Sequence, residues 1–168
     1  MKRRFSFVMV FLIGLIVGGG INASAGGPKI PAFELLSLDG KKYTDKDLLD
    51  KPTLLVFWAS WCGTCQHELP KVHDLKEKTK GKPFQIIAIG FKDSEANIRG
   101  YVTSHPNVFN FPVLYDPGDR VATRLGAQYT PTLFLLNKKG ELVLHHFSEG
   151  FFERLDFQEA LRKLLKEV

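Results

Sequence analysis

Trp61-Cys62-Gly63-Thr64-Cys65 contains both cysteines of the chain. The pair follows directly on the apolar run Leu54-Leu55-Val56-Phe57-Trp58-Ala59, which reads as a buried strand, and opens a segment with helical apolar spacing. A strand that delivers a C-x-x-C to the first turn of a helix makes a reactive dithiol. The unpaired N–H groups and the dipole of a helix start favour a thiolate and lower the first sulfur from its free pKa of about 8.5. The thiolate attacks a disulfide, and the second sulfur is close enough to resolve the mixed disulfide that results. Other readings of the pair are weaker. A structural disulfide across so short a loop gains only about 2 kcal/mol from chain entropy. Zinc needs four ligands, and there is no second cysteine pair. A chance C-x-x-C has no reason to fall at a strand–helix junction. The spacing points to redox exchange.

The surrounding elements must hold those sulfurs in place. Strand 54–59 is apolar on both faces, as a central parallel strand is. A helix is expected from about Cys62 to Lys80, with Leu69, Val72 and Leu75 as its packed stripe and a kink at Pro70. Phe33 to Thr44, turning at Asp39-Gly40, reads as a small hairpin, and Thr44 caps a short helical turn through Leu49. Gln85–Gly90 is a second buried strand, and Asp93 or Ser94 caps a helix to about Ser104. A third strand spans Phe111 to Tyr115, and a short helix from Asp119 stops at Gly126. Thr132–Leu136 and Glu141–Phe147 form a hairpin about Asn137-Lys138-Lys139-Gly140. The last helix is expected to take Asp156 as cap and Glu159 to complete a capping box, with Phe157, Leu161, Leu164, Leu165 and Val168 on its apolar face. Strands alternating with helices give an α/β fold with a mixed sheet.

A chain of 168 residues holds one globular domain. Residues 1–25 read as a signal peptide, or an uncleaved membrane anchor through residues 5–21. Lys2-Arg3-Arg4 is a positive start, Phe5 to Val17 is apolar apart from Ser6, and Ala23-Ser24-Ala25 has the small-x-small pattern of a cleavage site. No cysteine in this stretch could carry a lipid. Residues 26–31 read as a linker and 32–168 as the folded domain. The formal net charge is +5, but Lys2, Arg3 and Arg4 supply three of the excess positive charges, so the remainder is nearly balanced and offers nucleic acid no purchase. Two cysteines at a reactive spacing in an exported protein point to action on other proteins' thiols rather than to its own stability.

Phe57-Trp58-Ala59-Ser60-Trp61-Cys62-Gly63-Thr64-Cys65, Pro70 five residues further on, and Tyr129-Thr130-Pro131-Thr132 ahead of a strand together resemble the thioredoxin superfamily. The leader, the hairpin at 33–44 and Glu68 narrow the resemblance to the TlpA/ResA/CcmG group of extracytoplasmic thiol–disulfide oxidoreductases. It covers about residues 30 to 168. It implies a thioredoxin-like fold, with a central mixed β-sheet flanked by helices and an N-terminal β-hairpin extension. It also implies a cis Thr130–Pro131 bond beside the dithiol, with the Thr130 backbone open to an extended substrate segment.

Several residues take roles from this likeness. Glu68 shares a helix face with Cys65 and, if buried, could take the Cys65 proton; an exposed acid favoured by the helix dipole is the alternative. Cytosolic thioredoxins carry an acid in the strand six residues before the first cysteine, where this chain has Val56. Trp61 reads as a lid flanking the sulfurs or as a plain core aromatic, while Phe57 and Trp58 read as core. Gly63-Thr64 tunes the potential, and without the histidine that adjoins the first cysteine in oxidising relatives the poise is milder or reducing. His67 points away from Cys65, and His145 and His146 face opposite sides of a strand, so no metal site is read.

The expectation is an exported protein disulfide oxidoreductase, in the bacterial periplasm or on the outer face of the cytoplasmic membrane. The Cys62–Cys65 dithiol is its own carrier, with no bound cofactor. The resemblance implies apocytochrome c or an oxidase copper-site protein as substrate, and a membrane thiol donor as electron source. A copper or other metal chaperone of the same fold and a redox-inert binding module are the alternatives.

Overall fold

The computed structural model describes residues 27–166. The elements in chain order are β1 (Glu34–Ser37), β2 (Lys42–Thr44), β3 (Thr53–Trp58), α1 (Gly63–Lys78), β4 (Gln85–Gly90), α2 (Glu95–Ser104), β5 (Val113–Tyr115), α3 (Arg120–Leu125), β6 (Thr132–Leu136), β7 (Leu142–Phe147) and α4 (Leu155–Leu164), with short 3-10 turns at Asp45–Leu48 and Pro117–Asp119. The leader expected over 1–25 lies outside the described residues, and so does Val168. No helix of the described residues is long and apolar enough to cross a membrane.

The seven strands form one mixed sheet in the order β2-β1-β5-β4-β3-β6-β7. β3, β4 and β5 run parallel, while β6 and β7 on one side and β1 and β2 on the other run antiparallel. Every residue of β3 is buried, which explains its unbroken apolar run: both faces of the central strand are covered. On one face Leu54, Val56 and Trp58 pack with Leu69 and Val72 of α1, Ile98 of α2, and Phe157 and Leu164 of α4. On the other, Leu55 and Phe57 meet Ile87, Ile89, Val121, Phe134 and Leu48. Each such large apolar side chain contributes about 1.5–3 kcal/mol on burial. The fold is thioredoxin-like, with β1–β2 as the N-terminal hairpin.

Two registers fix the site. β3 and β4 end together, with Trp58 opposite Gly90. β6 lies beside β3 with Thr132 opposite Phe57, so Thr130–Pro131 falls just past the carboxyl end of β3, where Cys62 also lies. At the other end of β7, Gly27 donates to the Leu142 carbonyl (3.2 Å) and Ile30 to that of Gly140 (3.0 Å), so the segment read as a linker runs along the sheet edge there.

Two sequence-level expectations are corrected. Helix α4 begins at Leu155 with Arg154 as its N-cap, and the Asp156–Glu159 capping box does not form. Asp156 instead holds the Arg154 guanidinium at 2.9 and 2.5 Å and its own neighbour's N–H at 2.8 Å, a charged partner outcompeting the cap. β5 starts at Val113 rather than Phe111. Helix α1 runs from Gly63 to Lys78 with Pro70 inside it, in keeping with the expected element.

Candidate active site

Cys62 is the N-cap of α1, in extended conformation, and its sulfur accepts the backbone N–H of Cys65 at 3.0 Å. A sulfur in this place receives one of the orphan N–H groups of the first turn and the positive end of the helix dipole, both of which favour negative charge. Cys62 and Cys65 are joined as a disulfide, with Cα atoms 5.2 Å apart. Cys62 retains 5% exposure and Cys65 1%, so Cys62 is the more accessible of the two. Gly63 is exposed and Thr64 partly exposed in the same first turn.

Trp61 stands at the rim with 60% of its surface exposed, which rules out the core reading. Its indole N–H donates to the Lys92 carbonyl at 2.9 Å. Lys92 has a positive φ of 52°, donates its N–H to Asp119 Oδ1 at 2.7 Å, and extends its ammonium to the Gln128 carbonyl at 2.5 Å. The Thr130–Pro131 peptide is cis, as the resemblance implied. Tyr129 is 64% exposed and meets Phe147 edge-on, ring centres 6.0 Å apart. Trp61 thus lies on one side of the dithiol and Tyr129-Thr130-Pro131 on the other, with Lys92 joining Trp61 to Gln128, the residue that precedes the second arm.

The turn before Cys62 is braced from the loop between β4 and α2. Asp93 accepts the Ser60 N–H at 2.8 Å and the Ser60 hydroxyl at 2.6 Å, and it also holds Asn97 at 2.9 Å and the Ser94 N–H at 2.8 Å. Burial pushes its carboxyl upward, but the hydrogen bonds from Ser60, Asn97 and Ser94 outweigh it and keep the group below the ordinary aspartate range. Ser94 itself caps α2 by accepting the Asn97 N–H at 3.1 Å.

Glu68 is buried at 2% exposure one turn beyond Cys65. Its Oε1 accepts Lys71 Nζ at 2.8 Å and the Gly150 N–H at 3.2 Å, while Oε2 is buried with no partner among the described residues. Val56, in the position of the cytosolic thioredoxins' acid, is a buried core residue among Cys62 and Cys65. His67 is exposed on α1, and His145 and His146 lie on opposite faces of β7. Among the described residues no three His, Cys, Asp or Glu side chains converge to hold a metal ion.

Sequence reasoning missed Asp93 as a brace for the cysteine turn, Lys92 as the link between arms, and Lys71 as the partner of Glu68. Lys71 alone left a signal, since it sits three residues after Glu68 on the same helix. The other two act across more than 25 residues of sequence.

A dithiol at a helix start, a cis-proline just ahead of the strand that adjoins β3 and a thioredoxin-like sheet beneath define a class: thiol–disulfide oxidoreductases whose redox centre is the cysteine pair itself, here Cys62–Cys65. The chain belongs to the redoxin family, whose sequence profile matches residues 25–163. It is 33% identical to the thiol-disulfide oxidoreductase ResA of Bacillus anthracis, over 92% of this chain and 94% of that protein. A Chlorobium tepidum protein proposed to be the thiol:disulfide interchange protein DsbE superposes with a TM-score of 0.76 at 26% identity, covering 84% of this chain and 98% of that one. The exposed lipoprotein thioredoxin of Streptococcus pneumoniae superposes with a TM-score of 0.66 at 30% identity, covering 82% and 100% of the two chains. The protein is a thiol–disulfide oxidoreductase of the ResA/DsbE type.

Proposed function

We propose that this oxidoreductase works outside the cytoplasm and reduces disulfides in other proteins, as part of cytochrome c maturation or related thiol reduction in the envelope. The observation that carries the reading is the asymmetric pair: Cys62 at the helix cap with an N–H on its sulfur, and Cys65 buried behind it. In the reducing direction the Cys62 thiolate attacks a substrate sulfur, and the substrate's other sulfur leaves as a thiolate. Cys65 then gives its proton to Glu68 and attacks Cys62 Sγ. The mixed disulfide breaks, the second substrate sulfur leaves, and Cys62–Cys65 is oxidised. Two electrons have passed to the substrate, and a membrane thiol donor restores the dithiol.

The reducing direction is supported by Gly63-Thr64, which lacks a histidine beside Cys62 that would stabilise the thiolate further and make the disulfide a stronger oxidant. Burial of Glu68 one turn from Cys65 supports its role as proton acceptor. Among the described residues none is hydrogen-bonded to the Thr130 backbone, which favours pairing with an extended substrate strand beside Pro131. Trp61, Gly63 and Thr64 line the approach to Cys62. The similarity to an exposed lipoprotein supports an extracytoplasmic location, as does the basic and apolar start of the chain.

The test is Cys65→Ala expressed in the protein's own cell envelope. Resolution is blocked, so substrates accumulate as mixed disulfides on Cys62 and are identified by mass spectrometry. Apocytochrome c, or a copper-site protein of an oxidase, is the expected catch. An unselective mixture of envelope proteins would replace this reading with general disulfide housekeeping.

A further inference from the structure

One oxygen of Glu68, Oε2, is buried and meets no partner among the described residues. A buried carboxylate costs several kcal/mol unless its charge is met, and a buried ion pair ordinarily satisfies both oxygens. Here both contacts, Lys71 Nζ at 2.8 Å and the Gly150 N–H at 3.2 Å, converge on Oε1, and Oε2 is left bare in the interior. Lys71 spans the boundary. Its side chain is 40% exposed, and its ammonium also meets Glu153 at 2.8 Å on the outside.

We propose that Lys71 is a positioning residue for the thiol exchange: its ammonium grips Glu68 by Oε1 and so presents Oε2 to the proton leaving Cys65, while Glu153 sets how strongly it grips. The inference rests on Glu68 being the proton acceptor, as read above. When Cys65 is activated its S–H bond breaks and an O–H bond forms on Glu68. Lys71, relieved of one carboxylate, keeps Glu153. The hydrogen bonds it donates to Glu153 and Glu68 hold the lysine above its ordinary range, so it stays charged wherever the exchange runs.

The groups around Glu68 are few. Helix α1 contributes Lys71 and Cys65, three residues to either side of Glu68. The segment ahead of α4 contributes the Gly150 N–H and, through Lys71, Glu153. On β7, His146 stacks on Phe151 and has its Nε2 3.1 Å from the Glu149 carbonyl, next to the residue that supplies that N–H. From the sheet, Leu54, Val56 and Trp58 of β3 and Leu133 and Leu135 of β6 face this core, none of them titratable.

The experiment mixes the reduced full-length protein with the aromatic disulfide DTNB in a stopped-flow cell across the pH range. The first thionitrobenzoate released reports attack by Cys62, and the second reports its displacement by Cys65. In Lys71→Met the acid limb of the second step moves to higher pH by about one unit, the scale expected when an opposite charge in contact with a carboxylate is removed. The first step is unchanged, and Lys71→Arg restores the second. Glu153→Gln, on the exposed side, moves the limb the other way, because Lys71 then faces one acid instead of two. In a Glu68→Gln background Lys71→Met adds nothing. If Glu68→Gln alters the second step while Lys71→Met and Glu153→Gln leave it as in wild type, the positioning role is overturned and the acceptor role stands. If Glu68→Gln itself leaves the second step unaltered, both fall.

Discussion

Two sulfurs of the same chemistry are made unlike by their places in one helical turn. Cys62 caps α1 and receives the Cys65 N–H at 3.0 Å, whereas Cys65 lies inside the turn with 1% of its surface exposed. A charge placed on Cys62 is met by backbone dipoles, and one on Cys65 is not. Reduced protein titrated with iodoacetamide is therefore expected to alkylate at Cys62 alone, with a midpoint below the free-thiol value of about 8.5. A midpoint at or above that value would show that the helix start does not activate this sulfur. The cysteine spacing, the junction with β3 and Glu68 at i+3 were all legible in the sequence, because they are local. The bare Oε2 of Glu68 was not, since it depends on Gly150, 82 residues away.

At the scale of elements, β4 and the start of α2 brace the turn that carries the dithiol. Asp93 holds Ser60 by both its N–H and its hydroxyl, and those bonds keep the carboxyl below its ordinary value of 3.8. A carboxyl depressed by folding contributes stability that is present above 3.8 and lost as pH falls through the lower, folded value. Acid unfolding followed by circular dichroism should therefore show a limb below pH 3.8 that Asp93→Asn lacks. Packing between the same elements is equally close. A Cβ on Gly90 would come within 2.8 Å of the Ile98 side chain, which is fully buried. Gly90→Ala is expected to cost about 1–3 kcal/mol in urea unfolding, the range for overpacking a filled core. The strands and helices themselves were readable from hydrophobic spacing nearly to their ends. The exception was the start of α4, where Ser/Asp-type capping logic pointed to Asp156 and the neighbouring Arg154 drew that carboxylate away. The bracing by Asp93 and Lys92 was invisible for a different reason: it joins loops that meet only once the sheet order is set.

At the scale of the molecule, the seven strands carry all of this chemistry on one edge. The carboxyl ends of β3 and β4, the start of β6 and the end of β7 gather Cys62, Thr130–Pro131, Tyr129 and Phe147 together. Crevices beyond the carboxyl ends of parallel strands are where α/β sheets commonly bind ligands. The mixed order matters here, because β6 must run against β3 for the residues preceding it to reach the dithiol.

The backbone pairing of Gly27 and Ile30 with the 140–142 stretch fixes where the polypeptide enters this body: at the pole opposite the sulfurs, six residues of β7 away. At about 3.3 Å per residue that strand spans roughly 20 Å. Were the leading segment to stay fastened to a lipid surface, the cysteines would hang on the far side like a hook on a line, turned outward and open to soluble visitors. A membrane-embedded reductant would then have to reach up past the body, or the body would have to tip over, before each recharge.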